Sequence, residues 1–168
     1  TSLARVTIPG SVTNIGNRAF ISCTSLTNVT IPNGVTSIGW EAFGGCTGLT
    51  SATVPDSVSR IENFAFISCT SLTNVMIGNG VTRIGDYAFQ YCTNLTEAYF
   101  RGNAPSLGAD LFLGDNQAIV YYLPGTTNWG ATFGGRPTAP WPVPDWNYIA
   151  TNGAITITGY TGTDGDVI

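Results

Sequence analysis

The chain has 168 residues and a formal net charge of −4, and charged residues make up only 10% of it. Its 6 basic residues are scattered arginines without any lysine, so no basic stripe that could hold nucleic acid is present. No apolar run approaches the roughly 20 residues that a membrane-spanning helix needs, and we therefore expect neither nucleic acid binding nor membrane insertion.

The most prominent feature of the sequence is a repeat of 23 residues. ISCTSLTNVTIP at 21–32 and ISCTSLTNVMIG at 67–78 agree at ten of twelve positions, across two such steps. Three residue types recur in columns, namely Leu3, Leu26, Leu49, Leu72 and Leu95; Phe20, Phe43, Phe66, Phe89 and Phe112; and Cys23, Cys46, Cys69 and Cys92. A strict period of this length with the pattern L-x-x-V-x-I is typical of a solenoid, in which each repeat forms one turn.

Each repeat predicts the same elements in the same order. LTNVTIP at 26–32 predicts a short, half-buried strand, because Val29 and Ile31 alternate with polar residues. Pro32 ends this strand, since proline has no N–H to donate. VTSIG at 35–39 predicts a second short extended segment, and EAFGGC at 41–46 predicts a short helical or irregular corner. Stacked turns would rise by about 4.8 Å each, so equivalent side chains would form ladders.

One such turn cannot fold alone. It buries a few apolar side chains, each worth roughly 1.5–3 kcal/mol, whereas ordering the backbone costs roughly 1–2 kcal/mol per residue. Neighbouring turns must therefore cover each other, and at least about three are needed. We predict a leucine-rich repeat solenoid at 1–125, right-handed and with a parallel β ladder, that has five turns from Leu3 and a sixth strand at 118–123.

One repeat carries a family resemblance. TSIGWEAFGGCTGLTSATVPDSV at 36–58 resembles the BspA-like class of leucine-rich repeat found in bacterial surface proteins. The resemblance covers about residues 2–125, with AIVYYLPG at 118–125 placed in register. It implies an exported or surface-attached bacterial protein, extracellular or at the cell surface, that binds or adheres to a protein or a surface glycan. It implies no catalytic residues.

The cysteines predict buried thiols rather than disulfides. An even number of cysteines in an exported protein leaves disulfides open as an alternative. Side chains of one column point the same way, however, whereas a disulfide needs Cβ vectors that converge. We therefore expect unpaired thiols that fill the core as small apolar groups, at Cys23, Cys46, Cys69 and Cys92. Asp115 takes the fifth position of the column and predicts that the last turn opens to solvent.

The sequence offers little for catalysis or metal binding. It has no histidine, which excludes histidine-based triads, general bases and metal ligands. A carboxylate pair stays possible, but the acidic residues are mostly single and at different repeat positions, as solvated surface charges are: Glu41, Asp56, Glu62, Asp86 and Glu97. Asp164 and Asp166 could contribute to a calcium site or belong to a solvated tail. We expect no enzyme activity, no bound metal and no cofactor.

The outward positions of the predicted strands are the candidate binding surface, because repeat proteins usually bind there. One column reads Thr7, Thr30, Thr53, Met76, Tyr99 and Tyr122, and its neighbour reads Arg5, Asn28, Ser51, Asn74, Glu97 and Val120. Exposed aromatic residues at equivalent positions can form a contact surface, although such residues also simply suit exposed strands. The candidate partner-binding residues are Thr30, Thr53, Met76, Tyr99, Tyr122, Asn28, Asn74 and Glu97.

The period fails after Pro124, where three further segments are predicted. Residues 126–141 predict a cap in which Trp129, Phe133 and Trp141 cover the last turn. Residues 142–168 predict a linker and a β-hairpin tail. PWPVPDW at 140–146 is typical of a stiff connector, and YIATNGAITITGY at 148–160 predicts a hairpin that turns at Asn152-Gly153.

Two function classes follow. Since the chain does not begin with methionine, it is expected to be a trimmed piece, and it would then serve adhesion or protein interaction within a longer surface protein. In the alternative it is a structural subunit of a head-to-tail filament, in which the hairpin of one copy caps the first turn of the next. The expected contact residues are Leu3, Val6, Ile8, Val12 and Ile15 on one side and Tyr148, Ile149, Ile155 and Ile157 on the other.

Overall fold

The computed structural model describes residues 2–141, 146–151 and 154–160. Within these ranges the chain forms short strands joined by turns and has no helix, so the corners of the repeats are irregular rather than helical. The strands in chain order are β1 (Arg5–Thr7), β2 (Asn14–Ile15), β3 (Asn28–Thr30), β4 (Ser37–Ile38), β5 (Ser51–Val54), β6 (Arg60–Ile61), β7 (Asn74–Ile77), β8 (Arg83–Ile84), β9 (Glu97–Phe100), β10 (Ser106–Leu107), β11 (Ile119–Tyr122), β12 (Thr132–Phe133), β13 (Arg136–Pro140), β14 (Trp146–Thr151) and β15 (Ala154–Tyr160).

Two sheets run along the stacked turns. The larger has eight strands in the order β1-β3-β5-β7-β9-β11-β13-β12 and is parallel apart from β12. The smaller has five parallel strands in the order β10-β8-β6-β4-β2. Equivalent residues of successive turns pair directly, for example Asn28 with Ser51 and Ser51 with Asn74. The parallel solenoid that the period predicts is therefore confirmed.

The predicted columns form the core. The leucines of the later turns are fully buried, namely Leu26, Leu49, Leu72 and Leu95. The phenylalanine rings stack from Phe20 to Phe112, with neighbouring ring centroids 5.1–5.7 Å apart. Phe43 and Phe66 have no exposed surface. Each turn therefore buries the apolar surface of the turns on both sides of it.

The four cysteine thiols are free and buried, as predicted. In Cys46, Cys69 and Cys92 the Sγ atom lies 3.1–3.2 Å from the carbonyl oxygen of a phenylalanine 26 residues earlier, to which the thiol donates. Burial raises the pKa of the Cys46 thiol to about 12 and also raises that of Cys92. The thiols of Cys46 and Cys92 therefore stay protonated and act as packing groups rather than as nucleophiles.

The corners carry a further ladder of hydrogen bonds between turns. The N–H groups of Arg18, Phe20 and Ser22 donate to three carbonyl groups of the next turn at 2.7–2.8 Å. The donors are every second residue of the corner. Two of them, Arg18 and Ser22, lie in the left-handed region, with φ of 56° and 54°. Glycine suits this region best, but the bonds to the neighbouring turn hold other residue types in it.

The last turn is covered by β12 and β13. β13 extends the eight-stranded sheet beside β11, where Val120 pairs with Thr138. Trp129 and Phe133 lie against Phe100, with their ring centroids 5.2 Å from that of Phe100. These two aromatic side chains close the apolar end of the solenoid.

The prediction that the last turn opens to solvent at Asp115 is wrong. Asp115 has no exposed surface, because the cap lies over it and Arg136 Nη1 donates to its backbone carbonyl at 3.1 Å. Neither carboxyl oxygen meets a donor in good hydrogen-bond geometry. Burial raises the pKa of this carboxyl to about 7, although the backbone of Cys92 and the charge of Arg136 act in the opposite direction.

The predicted C-terminal hairpin is present as two antiparallel strands, β14 and β15. Ile149 pairs with Thr156, and Tyr148 pairs with Ile157. The turn predicted at 152–153 and most of the predicted proline connector, 142–145, lie outside the described residues.

Phe66→Ala should lower the free energy of unfolding by about 3–5 kcal/mol, because it removes a fully buried ring from the middle of the column. Phe20→Ala is the matched control, since Phe20 is partly exposed and has one ring neighbour in the column instead of two. Denaturant titration measures both values. An equal or smaller loss for Phe66→Ala would contradict the stacked column.

We expect Asp115 to reduce stability as the pH rises. Its pKa in the folded state is about 7 and its ordinary value is 3.8, so between these values the folded state holds the proton and the unfolded state does not. Folding is then favoured at the lower pH. The free energy of unfolding should therefore fall as the pH rises between these two pKa values. Asp115→Asn and Asp115→Cys should both make this fall smaller, because they remove the carboxyl.

Asp110→Asn is the control, because Asp110 is an exposed acid of the same turn. Denaturant titrations at several pH values give the slopes. If Asp115→Asn keeps the slope of the unaltered protein, the buried carboxyl is not its source.

Candidate functional site

The outward side chains of the eight-stranded sheet form one continuous surface, which we call the strand face. In β3, β5, β7 and β9 buried residues alternate with exposed or partly exposed ones. The alternation places seven predicted residues on the strand face: Asn28, Thr30, Thr53, Asn74, Met76, Glu97 and Tyr99. Parallel pairing then sets equivalent residues side by side, about 4.8 Å apart.

The prediction for Tyr122 is wrong by one residue. Tyr121, not Tyr122, pairs with Tyr99, and Ile119 rather than Val120 pairs with Glu97. The step from β9 to β11 is therefore 22 residues instead of 23, as the pairing shows. The shift buries Val120 and turns Tyr122 inward against Trp129, with ring centroids 5.4 Å apart.

Tyr121 was missed because IVYYL is apolar throughout, so alternation cannot fix its register. The residue types of the inward column gave a usable signal. That column holds Val or Ala in the earlier turns, and Val120 continues it only in the shifted register.

Three aromatic side chains form a platform at one end of the strand face. Tyr99 stacks on Tyr121 with centroids 5.1 Å apart, and Trp141 lies 4.9 Å from Tyr99 at a tilt of 35°. The expectation that Trp141 belongs to the lid over the last turn is therefore wrong. Trp141 directly follows β13, and its backbone N–H donates to the backbone carbonyl of Tyr122 at 2.7 Å. This bond holds Trp141 beside β11, with its ring on the strand face.

The environment of Tyr99 is less polar than that of a free tyrosine. Partial burial raises its pKa to about 12, and the neighbouring carboxylate of Glu97 adds to the shift. The Tyr99 hydroxyl is therefore a neutral donor and acceptor at any physiological pH. The aromatic platform thus carries a polar group at its edge.

Beside the platform lies a groove of about 500 Å³. We call it the polar groove, and the residues that line it on its outward side are Asn28, Thr30, Asn33, Ser51, Thr53, Asp56, Met76 and Arg101. Asp56 and Arg101 form an exposed ion pair with a 3.5 Å separation. Such a pair contributes little stability, but it leaves the groove close to electrically neutral.

The first turn leaves part of its apolar surface uncovered. Leu3 is 39% exposed, and Val6, Ile8 and Val12 are partly exposed, whereas Ile15 is buried. An apolar hollow of about 250 Å³ lies between these residues and Phe20. The predicted contact residues at this end thus share one surface.

The predicted contact residues of the hairpin lie on its two strands. Tyr148 and Ile149 belong to β14, and Ile155 and Ile157 belong to β15. Only their backbone pairing is described. Their side chains lie outside the described part of the structure, and the contact stays a prediction.

Within the described residues, no three cysteine or acidic side chains lie close enough together to hold a metal ion. Asp164 and Asp166, the predicted alternative for calcium, lie outside them. The described part also contains no helix long and apolar enough to cross a membrane.

Comparison with solved structures finds bacterial leucine-rich repeat proteins. The T. pallidum leucine-rich repeat protein TpLRR is 30% identical with a TM-score of 0.62, over 66% of this chain and 52% of that one. A Bacteroides ovatus leucine-rich repeat protein is 27% identical with a TM-score of 0.56, over 70% of this chain and 37% of that one. A leucine-rich cell surface protein of Faecalibacterium prausnitzii is 33% identical with a TM-score of 0.55, over 56% of this chain and 25% of that one.

The chain thus spans about half of the first of these proteins and less of the others. No curated protein matches it. The family model of the BspA-type leucine-rich repeat region matches residues 1–118 in 6 copies. Since this match covers more than half of the chain, the protein belongs to the BspA-type leucine-rich repeat family.

Proposed function

We propose that this protein is a non-enzymatic binding protein of the bacterial cell surface or exterior, and that it holds its partner on the strand face. The observation that carries the proposal is the polar groove beside the aromatic platform. Most of their residues lie on or directly after strands that are paired on both sides, so their side chains are presented on a rigid surface.

Location and chemistry add support. One similar structure is that of a cell surface protein, and the family generally serves protein interaction. The absence of histidine from the sequence leaves few groups for general acid–base catalysis near neutral pH. Adhesion, rather than turnover of a substrate, is the role that this surface suits.

Thr53→Arg should weaken binding of the protein to immobilised extracellular-matrix proteins and mucins by about tenfold or more, which corresponds to about 1.4 kcal/mol. Thr53 lies in the middle of the polar groove, where a long charged side chain would fill the space for a partner. Surface plasmon resonance measures the affinity.

Thr47→Arg is the matched control, because Thr47 is an exposed threonine of the same repeat that lies outside β5. It should change the affinity by less than about twofold. Equal binding by the two variants would overturn the proposal.

Head-to-tail assembly is the second candidate function, and the uncovered first turn favours it. The outer edge of β1 has no partner strand among the described residues, and the apolar hollow lies next to it. An open strand edge beside apolar surface is a site for strand addition. The hairpin of a second copy would supply the strand.

Truncation after Pro144 should abolish any self-association of the full chain in sedimentation velocity experiments. Val12→Asp, which places a charge in the hollow, should have the same effect while the hairpin is kept. If the truncated protein sediments as an assembly like the full chain, the hairpin is not the connector and this candidate is wrong.

A further inference from the structure

We propose that the partner held by the strand face is a neutral oligosaccharide, whose hydroxyl groups bind in the polar groove and whose sugar rings stack on the aromatic platform. This inference rests on the proposed function, because it names the ligand class of the same surface. Three properties of the surface carry it: free hydrogen-bonding groups, balanced charge and the packing of the rings.

Two other hydroxyl columns of the solenoid are already engaged in hydrogen bonds between turns. The hydroxyl groups of Thr50, Thr73 and Thr96 each donate to a carbonyl of the preceding turn at 3.1–3.2 Å. Ser59 and Thr82, which directly precede β6 and β8, do the same. These groups stabilise the stack and have less capacity for a ligand.

The hydroxyl and amide groups of the polar groove are different. In the part of the chain that the structure describes, no side-chain hydrogen bond involves Asn28, Thr30, Asn33, Ser51 or Thr53. Each of these groups both donates and accepts. A ligand that satisfies them must also do both, which is the property of a sugar hydroxyl.

The charge of the groove excludes strongly ionic ligands. Its charged residues are Asp56 and Arg101, and they neutralise each other across 3.5 Å. An acidic ligand would be recognised by clustered arginines, and a basic peptide by clustered carboxylates. The groove presents neither.

The packing of the three rings in the platform determines which ligands can contact it. An ammonium ligand needs aromatic rings that surround an open space. Here Tyr99 lies 4.9–5.1 Å from Tyr121 and Trp141, so the rings fill the space between them. What they leave is an aromatic surface edged by the Tyr99 hydroxyl, on which the C–H face of a sugar ring can stack.

A protein partner is the weaker alternative for this surface. Protein interfaces gain most of their affinity from a central apolar cluster with aromatic or arginine anchors. On the strand face the aromatic rings lie at one end. Met76 is the one large apolar side chain among the outward residues that line the groove, because Val29, Ile31 and Val54, which also line it, are buried. From Thr30 on β3 to Tyr99 on β9 there are three strand steps, roughly 14 Å, so an extended chain of sugars would contact both parts.

The test is titration of the full chain with cellohexaose, chitohexaose and mannohexaose. Binding is measured by isothermal titration calorimetry and, independently, by saturation-transfer NMR. At least one of these neutral oligosaccharides should bind. Tyr121→Ala and Thr53→Val should each weaken that binding by about tenfold. Valine keeps the shape of threonine and removes only its hydroxyl group.

Tyr87→Ala and Thr47→Val are the matched controls. Tyr87 stacks on Phe64 at a corner, with centroids 5.1 Å apart, and Thr47 is exposed outside the strands. Neither should change the affinity by more than about twofold. Equal losses in controls and test variants would place the ligand elsewhere and overturn the inference.

If none of the three oligosaccharides binds while Thr53→Arg still blocks adhesion to matrix proteins, the inference is wrong and the strand face binds a protein instead. If neither the oligosaccharides nor the immobilised proteins bind, the proposed function fails as well.

Discussion

Contact between equivalent side chains of successive turns is the interaction on which the rest of this structure depends. A turn has almost no interior of its own, because its leucine, phenylalanine and cysteine side chains belong to one core that continues from turn to turn. The phenylalanine stack and the leucine column show this most directly. Stability is therefore a property of neighbouring turns, as in other repeat proteins.

The same constraint explains the two ends. Within the described residues the first turn has a neighbour on one side only, and its apolar residues are partly exposed there. The last turn would have the same problem, but Trp129 and Phe133 cover it and β13 continues the sheet. Where the repeats meet the cap, Asp115 takes the position of the cysteine. The cap removes its carboxyl from water, and this burial raises the pKa of the carboxyl.

The stacking of the turns is also sufficient to bring the residues of the candidate site together. Since parallel pairing sets residues of successive turns beside each other, a change of residue type along one column becomes a gradient across the surface. On the strand face the gradient runs from threonine and asparagine to tyrosine and tryptophan. Hydroxyl groups inside the ladders stabilise the stack, whereas those on the strand face stay available to a partner.

Much of this fold follows from the sequence, because a strict period fixes the column to which each residue belongs. The buried phenylalanines, the free thiols and both sheets could be predicted in this way. This prediction of columns fails where a repeat has a different length. A single missing residue before β11 moved Tyr121 rather than Tyr122 to the strand face, and apolar residues on both faces of the strand hid the change.

The aromatic platform and the burial of Asp115 could not be predicted, because both depend on the non-repeating cap. Trp141 reaches Tyr99 only through the pairing of β13 with β11, a contact without any periodic signal. Asp115 is buried by residues about twenty positions later in the chain, such as Arg136. Contacts of this kind are set by tertiary packing alone.

Counting reactive thiols tests the stacked register most directly. If the turns stack as described, Cys23, Cys46, Cys69 and Cys92 point the same way into the core. A thiol reagent under non-reducing conditions should then detect none of them in the native protein and all 4 after denaturation. A count of two or zero after denaturation would show disulfides, and rapid reaction in the native protein would show an exposed column; either result would contradict the stacking on which this account depends.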